Sequence, residues 1–132
     1  MLPSILETIQ ARTVWIADRN FCTRQFLFGI VRRNSDFIIR QHKSLPVQEI
    51  SFLKKMGETT TGEVFEQQVQ ITDSNGLTLQ LRRVVIGLYQ PTRHEDEEVA
   101  MLTHLPRSVA DAETITKLYL RRWNIDSSDF GN

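Results

Sequence analysis

Two short apolar runs on either side of an amphipathic segment place the strongest constraint on the fold of this chain. Residues 13–16 (TVWI) and 36–41 (DFIIRQ) are rich in β-branched and aromatic residues, which favour buried strands. Between them, apolar residues recur at helical spacing from about Thr23 to Arg33. A strand, a helix and a strand over roughly thirty residues are typical of a βαβ unit. The pattern therefore predicts two parallel strands joined by a right-handed crossover.

The middle of the chain follows a different period. Residues 60–106 contain stretches that alternate apolar and polar residues, and Ser74-Asn75-Gly76 interrupts them with residues that tolerate positive φ. This turn predicts a hairpin, and Glu98 to Pro106 predicts a third strand that the proline ends. We therefore expect an antiparallel β segment inserted after the βαβ unit.

Polar residues mark the points where these elements begin or end. Asp18 directly follows the first strand, at the kind of position where open α/β sheets bind ligands. Capping of the following helix by Asp18 or Asn20 is the simpler explanation of the same residues. Ser108 followed by Asp111 resembles a capping box with the shorter acid, and it predicts a helix over residues 108–126.

One face of this last helix carries three chemically useful groups. At about 100° per residue, Tyr119, Arg122 and Asp126 fall within about 60° of one another. A carboxylate is a hard oxygen ligand for Mg²⁺, and an arginine is a bidentate clamp for phosphate, so the stripe suits a metal ion together with a phosphate. An ordinary amphipathic helix with a solvated pair of Arg122 and Asp126 explains the same spacing.

Composition bounds the class of protein. The 132 residues suffice for one domain, and 16 basic residues balance 16 acidic ones, so net charge argues neither for nor against a nucleic-acid partner. Cys22 is the only cysteine, which rules out an internal disulfide and fits a reducing cytosol. No apolar run approaches the length of a membrane span, so we expect a cytoplasmic protein without a membrane partner.

Several other groups have a simpler explanation than a functional one. We expect Cys22 to be a buried packing residue and residues 94–98 (HEDEE) to be a solvated loop. The basic pairs Lys54-Lys55 and Arg82-Arg83 suit either DNA phosphates or solvated strand edges. The spacing of His42 and His104 identifies no partner for either ring.

Two motifs, IADRNF at residues 16–21 and LYLRRWNID at residues 118–126, resemble the DDE transposases of bacterial insertion sequences. In that family the second catalytic aspartate ends a strand and is commonly followed by arginine. A β-rich insertion then precedes a helix with the motif Tyr-x2-Arg-x3-Glu-x6-Lys. The resemblance covers about residues 11–126. It implies a partial ribonuclease H-like core with an inserted antiparallel β segment, in an α/β fold.

The resemblance also implies roles for individual residues. Asp18 and Asp126 would be catalytic metal ligands for Mg²⁺, with Mn²⁺ as a substitute. Arg19, Tyr119 and Arg122 would hold the DNA backbone, with Arg122 as the main phosphate clamp. The implied partners are DNA at transposon ends and a second copy or a full-length transposase.

Departures from the family pattern limit this expectation. Asp126 stands where the family has glutamate, the motif lysine would fall beyond the last residue, and the first catalytic aspartate would lie upstream of the chain. We therefore expect one truncated catalytic domain over residues 1–132, with a strand–helix–strand core at 11–41, the β insertion at 60–106 and the motif helix at 108–126.

This domain is expected to be inactive alone, because two-metal phosphoryl transfer in the family uses three carboxylates. Two alternatives stay open: a non-enzymatic remnant that binds DNA or a full-length transposase, and a phosphodiesterase of the same fold that acts on another nucleic acid.

Overall fold

The computed structural model describes residues 14–91 and 97–122. This part of the chain is mixed α/β, with one mostly antiparallel sheet and two α-helices. None of its helices has the length and apolar character that crossing a membrane requires. The strands are β1 (Val14–Ala17), β2 (Asp36–Arg40), β3 (Gln48–Glu49), β4 (Lys54–Glu58), β5 (Gly62–Thr72), β6 (Thr78–Leu88) and β7 (Glu98–Thr103). The helices are a short 3-10 helix (Arg19–Phe21), α1 (Arg24–Arg32) and α2 (Ala112–Arg122).

The predicted βαβ unit is confirmed as two parallel strands joined through a helix. β1 and β2 pair in parallel from Val14 opposite Asp36 to Ala17 opposite Ile39. The connecting helix α1 begins after Thr23, whose hydroxyl accepts the backbone N–H of Phe26 at 3.2 Å. This side chain satisfies one of the amides that a helix leaves without an internal partner.

The predicted hairpin is also confirmed. β5 and β6 pair antiparallel along their whole length, from Gly62 opposite Leu88 to Thr72 opposite Thr78. In the turn, Asp73 Oδ1 accepts two backbone N–H groups, and Gly76 has a φ of 85°. Positive φ costs glycine little, so the residue suits this position.

β7 joins the hairpin to the parallel pair. It pairs antiparallel with both β2 and β6, so the sheet runs in the order β1-β2-β7-β6-β5-β3, with β4 also on β5. The antiparallel segment is therefore a continuation of the same sheet. β7 ends at Thr103, earlier than the proline suggested. The Thr103 hydroxyl donates to Phe37 O at 2.7 Å and accepts the N–H of Leu105 at 3.1 Å, which turns the chain away from the sheet.

The sheet buries apolar side chains on both faces. Alternation along each strand sends successive residues to opposite faces, so each face has its own core. The face covered by α1 contains Cys22, Leu27, Ile30, Phe37, Ile39, Leu45, Val69, Ile71, Leu81 and Leu102. The face covered by α2 contains Ile38, Val64, Val84, Ile86, Val99, Met101, Leu105, Ala110, Ala112, Ile115, Tyr119 and Leu120.

The predicted start of the last helix was wrong. Asp111 precedes α2 directly, and its carboxylate accepts the backbone N–H of Thr114 at 2.9 Å. The preceding residues form a turn instead, in which Pro106 O accepts the N–H groups of Val109 and Ala110. Ser108 lies inside that turn, so Asp111, three residues later, caps the helix, which begins at Ala112.

Gly62 generates a prediction about stability. A methyl group at this buried position would overlap the carbonyl group of Gly87 on β6, and strand backbone cannot move aside as a flexible side chain can. We expect Gly62→Ala to lower the free energy of unfolding by about 1–3 kcal/mol, measured by urea denaturation.

Gly87→Ala is the matched control, because a methyl group there would meet no atom closer than 3.9 Å. This variant should be neutral or slightly stabilising, since alanine has less conformational freedom than glycine in the unfolded chain. Equal denaturation midpoints for the two variants would contradict the close approach of the strands.

Candidate functional site

Asp18 lies where β1 ends, and its carboxylate is already fixed by the backbone. Its Oδ1 accepts the N–H of Asn20 at 3.0 Å and so caps the short 3-10 helix. The capping explanation is therefore correct for this turn, whereas Thr23 caps α1. Within the described residues, the second carboxylate oxygen of Asp18 makes no hydrogen bond. The half-buried side chain is thus oriented and keeps one oxygen for another partner.

Tyr119 comes from the other end of the fold to the same place. It lies on the inner side of α2, where its side chain is only 1% exposed and packs in the core cluster of that face. Its hydroxyl interacts electrostatically with Arg40, Asp18 and Arg19. The structure therefore places Asp18 and Arg19 near enough to Tyr119 for their charges to act on its phenol, although the two motifs lie far apart in the sequence.

Burial determines the protonation state of Tyr119. Removal from water raises the pKa of its phenol to about 12, and the Asp18 carboxylate acts in the same direction. The cations Arg40 and Arg19 oppose this shift without cancelling it. At neutral pH the side chain is therefore a neutral phenol, able to donate and accept a hydrogen bond but carrying no charge.

Of the other predicted site residues, the structure describes Arg19 completely, Arg122 without its side chain, and Asp126 not at all. Arg19 belongs to the 3-10 helix and is exposed, as a contact with DNA requires. Arg122 is the last residue of α2, but its side chain lies outside the described part of the chain, and so does Asp126. Their assignment to the site stays a prediction.

A buried ion-pair network anchors the helix that carries Tyr119. Arg82 donates to both oxygens of Glu66, at 3.1 and 2.8 Å, and its Nη1 donates to the carbonyls of Leu105 and Ala110, both at 2.8 Å. Arg107 donates to Glu66 Oε2 at 2.8 Å. These contacts tie β5, through Glu66, and β6, through Arg82, to residues 105–110, the segment that leads into α2.

Glu66 remains ionised inside this network. Burial of Glu66 opposes ionisation, but the hydrogen bonds and charges of Arg82 and Arg107 outweigh it, so the pKa of the carboxyl lies below its ordinary value. The charged form is therefore favoured in the folded chain. The network is therefore weakened when the pH falls far enough to protonate the Glu66 carboxylate.

The structure corrects both readings of the Arg82-Arg83 pair. Arg82 is only 6% exposed and belongs to the ion-pair network, so it is neither solvated nor available to DNA. Arg83 is half-buried, and its guanidinium donates to Gln41 Oε1 at 2.7 Å and to Gln67 Oε1 at 2.9 Å. Each guanidinium is hydrogen-bonded to residues from distant segments of the chain.

The other basic pair, Lys54-Lys55, is consistent with a solvated strand edge, one of the two interpretations of the sequence. Both residues are exposed on β4. Lys55 Nζ lies 3.0 Å from Glu58 and 3.2 Å from Glu63. Exposed ion pairs of this kind contribute little to stability.

Other polar residues have partners that the sequence did not reveal. His104 Nδ1 lies 3.5 Å from Asp36 Oδ1, and its ring stacks on Phe37 with centroids 6.4 Å apart. His42 Nδ1 accepts the N–H of Ser44 at 3.0 Å. The first contact joins β2 to the residue that follows β7, so no local spacing could have indicated it.

The expectation that Cys22 is a packing residue is confirmed. Its side chain is 3% exposed and lies in the core beneath α1. Burial raises the pKa of the thiol, although a backbone hydrogen bond from His42 opposes the shift. The thiolate is therefore disfavoured, which does not suit a nucleophile.

The described part of the site supplies one carboxylate for a metal ion. Among residues 14–91 and 97–122, no three His, Cys, Asp or Glu side chains come together in a group that could hold a metal. Asp18 fits as a single ligand, because Mg²⁺ prefers carboxylate oxygens and one of its oxygens carries no hydrogen bond among those residues. The predicted second ligand, Asp126, and most of the acidic run at 94–98 lie outside the described residues.

Comparison with known proteins does not show a family for this chain. No protein-family model matches it, and no curated protein matches it.

The burial of Tyr119 generates a titration experiment. Because folding raises the phenol pKa, its contribution to stability is fully present below pH 10.0 and is lost as the pH rises through about 12. We expect ultraviolet absorbance to show a late phenolate transition that is absent in Tyr119→Phe. Tyr89→Phe is the control, because Tyr89 is exposed and its loss should leave the late transition in place. A Tyr119 phenolate that forms near pH 10 in the folded chain would contradict its burial.

Proposed function

We propose that this chain is a transposase-like domain for DNA transposition, with a ribonuclease H-like core of the DDE type. The observation that carries the proposal is the position of Asp18 at the end of β1, two residues after Ile16, which packs against the core cluster that contains Tyr119 of the motif helix. The resemblance assigns Asp18 and Tyr119 to one catalytic site. The proposal also places the protein in the cytoplasm, in keeping with its single cysteine.

The order of elements supports this proposal. A parallel strand pair is followed by antiparallel strands, and the chain then packs α2 across β4, β5 and β6 as far as β2. The resemblance implies the same succession of core strands, β-rich insertion and motif helix. The insertion in this chain extends the core sheet through the pairing of β2 with β7.

The residues of the proposed site have distinct tasks. Asp18 and Asp126 would hold the metal ion, and the exposed Arg19 would contact a DNA phosphate. Arg122 would clamp a second phosphate through its two parallel N–H groups. Tyr119 is buried, which favours a role in fixing α2 beside Asp18 over a direct contact with DNA. When bound, Mg²⁺ would supply charge stabilisation for phosphoryl transfer.

The first experiment tests Asp18 as a metal ligand. Mn²⁺ substitutes for Mg²⁺ and broadens the NMR signals of nearby nuclei, so added Mn²⁺ should broaden the amide signals around Asp18 and Tyr119. Asp18→Asn should abolish this effect while the chain stays folded, because asparagine caps a helix about as well as aspartate.

Glu49→Gln is the matched control, since it removes an exposed carboxylate from β3. Its broadening should equal that of the unchanged chain. Broadening in Asp18→Asn that matches the control would remove Asp18 from the proposed site.

The second experiment tests position 126. We expect the chain alone to lack DNA cleavage and strand transfer with Mg²⁺ or Mn²⁺, because the resemblance assigns only two of three carboxylates to it. In a chimera in which a transposase of the family supplies the remaining motif residues, Asp126→Glu should raise strand transfer. A carboxylate misplaced by about 1 Å can reduce the rate about a hundredfold.

Asp126→Asn should abolish strand transfer in that chimera, whereas Asp129→Asn is the control to which the motif assigns no role. An Asp126→Asn chimera as active as its parent would show that Asp126 is no metal ligand. A chimera that binds DNA but never transfers strands would favour the non-enzymatic alternative. Hydrolysis of another nucleic acid in a substrate panel would favour the phosphodiesterase.

A further inference from the structure

A pocket lies between the end strand β1 and the helix α1, on the face of the sheet that α1 covers. Its volume is about 530 Å³, which is within the range of sites for small ligands. Three aromatic side chains line it, those of Trp15, Phe21 and Phe26. The rings of Phe21 and Phe26 pack with their centroids 5.5 Å apart. Asp18 is not among the lining residues, so this aromatic pocket is separate from the proposed metal site.

Two of the three rings are strongly exposed. Trp15 is 52% exposed and Phe21 is 50% exposed, although large aromatic side chains are mostly buried in folded proteins. Aromatic rings gain stability when another ring packs against their faces or edges, beyond what burial alone contributes. The exposed rings therefore leave room beside them for a further planar aromatic group.

Arg33 supplies the only charge among the described residues that line the pocket. It is exposed, and its Nη1 donates to Gly29 O at 3.2 Å, which holds the guanidinium back along α1. The other N–H groups of this guanidinium make no hydrogen bond within the described part of the chain. A guanidinium can bind both oxygens of a carboxylate at once, and the Ser35 hydroxyl in the pocket lining is a further donor.

Gly29 makes this position of Arg33 possible. A methyl group on Gly29 would lie 3.3 Å from Arg33 Nη1, a tight contact that the guanidinium can relieve only by moving away. Glycine in the interior of a helix is less stable than alanine, and Gly29 lies well inside α1. The residue that weakens the helix is thus the one against which the arginine packs.

The charges near Arg33 favour an anion at that end of the pocket. Arg32 is exposed beside it. The carboxylate nearest in sequence, that of Asp36, is buried and lies 3.5 Å from His104 Nδ1. Asp18 follows β1, and α1 runs back for about 13 Å from that end of the strand before Arg33 is reached. A carboxylate bound at Arg33 is therefore remote from the Asp18 carboxylate.

We propose that the aromatic pocket binds a small aromatic carboxylic acid. The ring would lie among the three aromatic side chains, and the carboxylate would pair with Arg33. A neutral aromatic compound lacks the partner for the arginine, and an aliphatic acid lacks the ring, so neither class complements the whole pocket. This inference goes beyond the proposed function and does not depend on it, because no residue of the proposed metal site takes part.

The test is a titration of the full chain with 1-naphthoate, followed through the backbone amide signals in NMR spectra. We expect saturable shifts at Trp15, Gly29 and Ser35, with a Kd of about 1 mM or tighter, as a ligand of this size allows. 1-Naphthamide has nearly the same shape without the charge and should bind about tenfold more weakly. Absence of saturable shifts, or equal affinity for the two compounds, would overturn the proposal.

Two arginine variants test the charged end of the pocket. Arg33→Gln should weaken naphthoate binding about tenfold and leave naphthamide binding unchanged. Arg32→Gln is the matched control, because it removes the neighbouring exposed charge, which is outside the pocket lining. Equal weakening of naphthoate binding by both variants would show that the general charge of α1 attracts the ligand, and the assignment to Arg33 would fail.

Gly29→Ala separates binding from stability. Alanine favours the helix, so this variant should unfold at the same or a higher denaturant concentration than the unchanged chain. Naphthoate should nevertheless bind more weakly, because the methyl group displaces the guanidinium of Arg33. Unchanged affinity in Gly29→Ala would show that the position of the guanidinium does not matter for binding, against the proposal.

Discussion

The buried guanidinium of Arg82 sets the position of α2, on which the candidate site depends. A charge removed from water is costly unless its partner and its hydrogen bonds are also present. Glu66 supplies the opposite charge from β5, and Leu105 O and Ala110 O accept hydrogen bonds from Nη1. Breaking a buried pair of this kind typically costs about 3–5 kcal/mol, so the segment before α2 has little freedom to move away from the sheet.

Once its first residues are fixed, α2 presents different chemistry on its two flanks. It crosses the sheet in contact with β4, β5, β6 and β2. The inner side carries Tyr119, whose phenol feels the charges of Arg40, Asp18 and Arg19. The outer side carries Lys117 and Arg121 along the β4–β5 turn. Both flanks belong to one helix, so the ion-pair network before α2 fixes the position of both.

The sequence predicted the elements whose signal is local and failed where partners are distant. The parallel pair and the hairpin around Gly76 follow from periodicity and from one residue that tolerates positive φ. Arg82 and Arg83 were misread because neighbouring strand residues point to opposite faces, and each found partners that spacing does not encode. The cap at Asp111 was misplaced because Ser108 belongs to a turn closed by the backbone of Pro106.

Asp18 shows why a structural and a functional explanation need not exclude each other. Capping uses Oδ1, which accepts the N–H of Asn20, whereas metal binding would use an oxygen that carries no hydrogen bond among the described residues. The cap also restricts the rotamers of the side chain, so less conformational entropy is lost when a ligand binds. A carboxylate held in this way is a better metal ligand than a freely rotating one, and productive sites generally require such support from neighbouring groups. The cap is therefore an argument for the proposed role of Asp18.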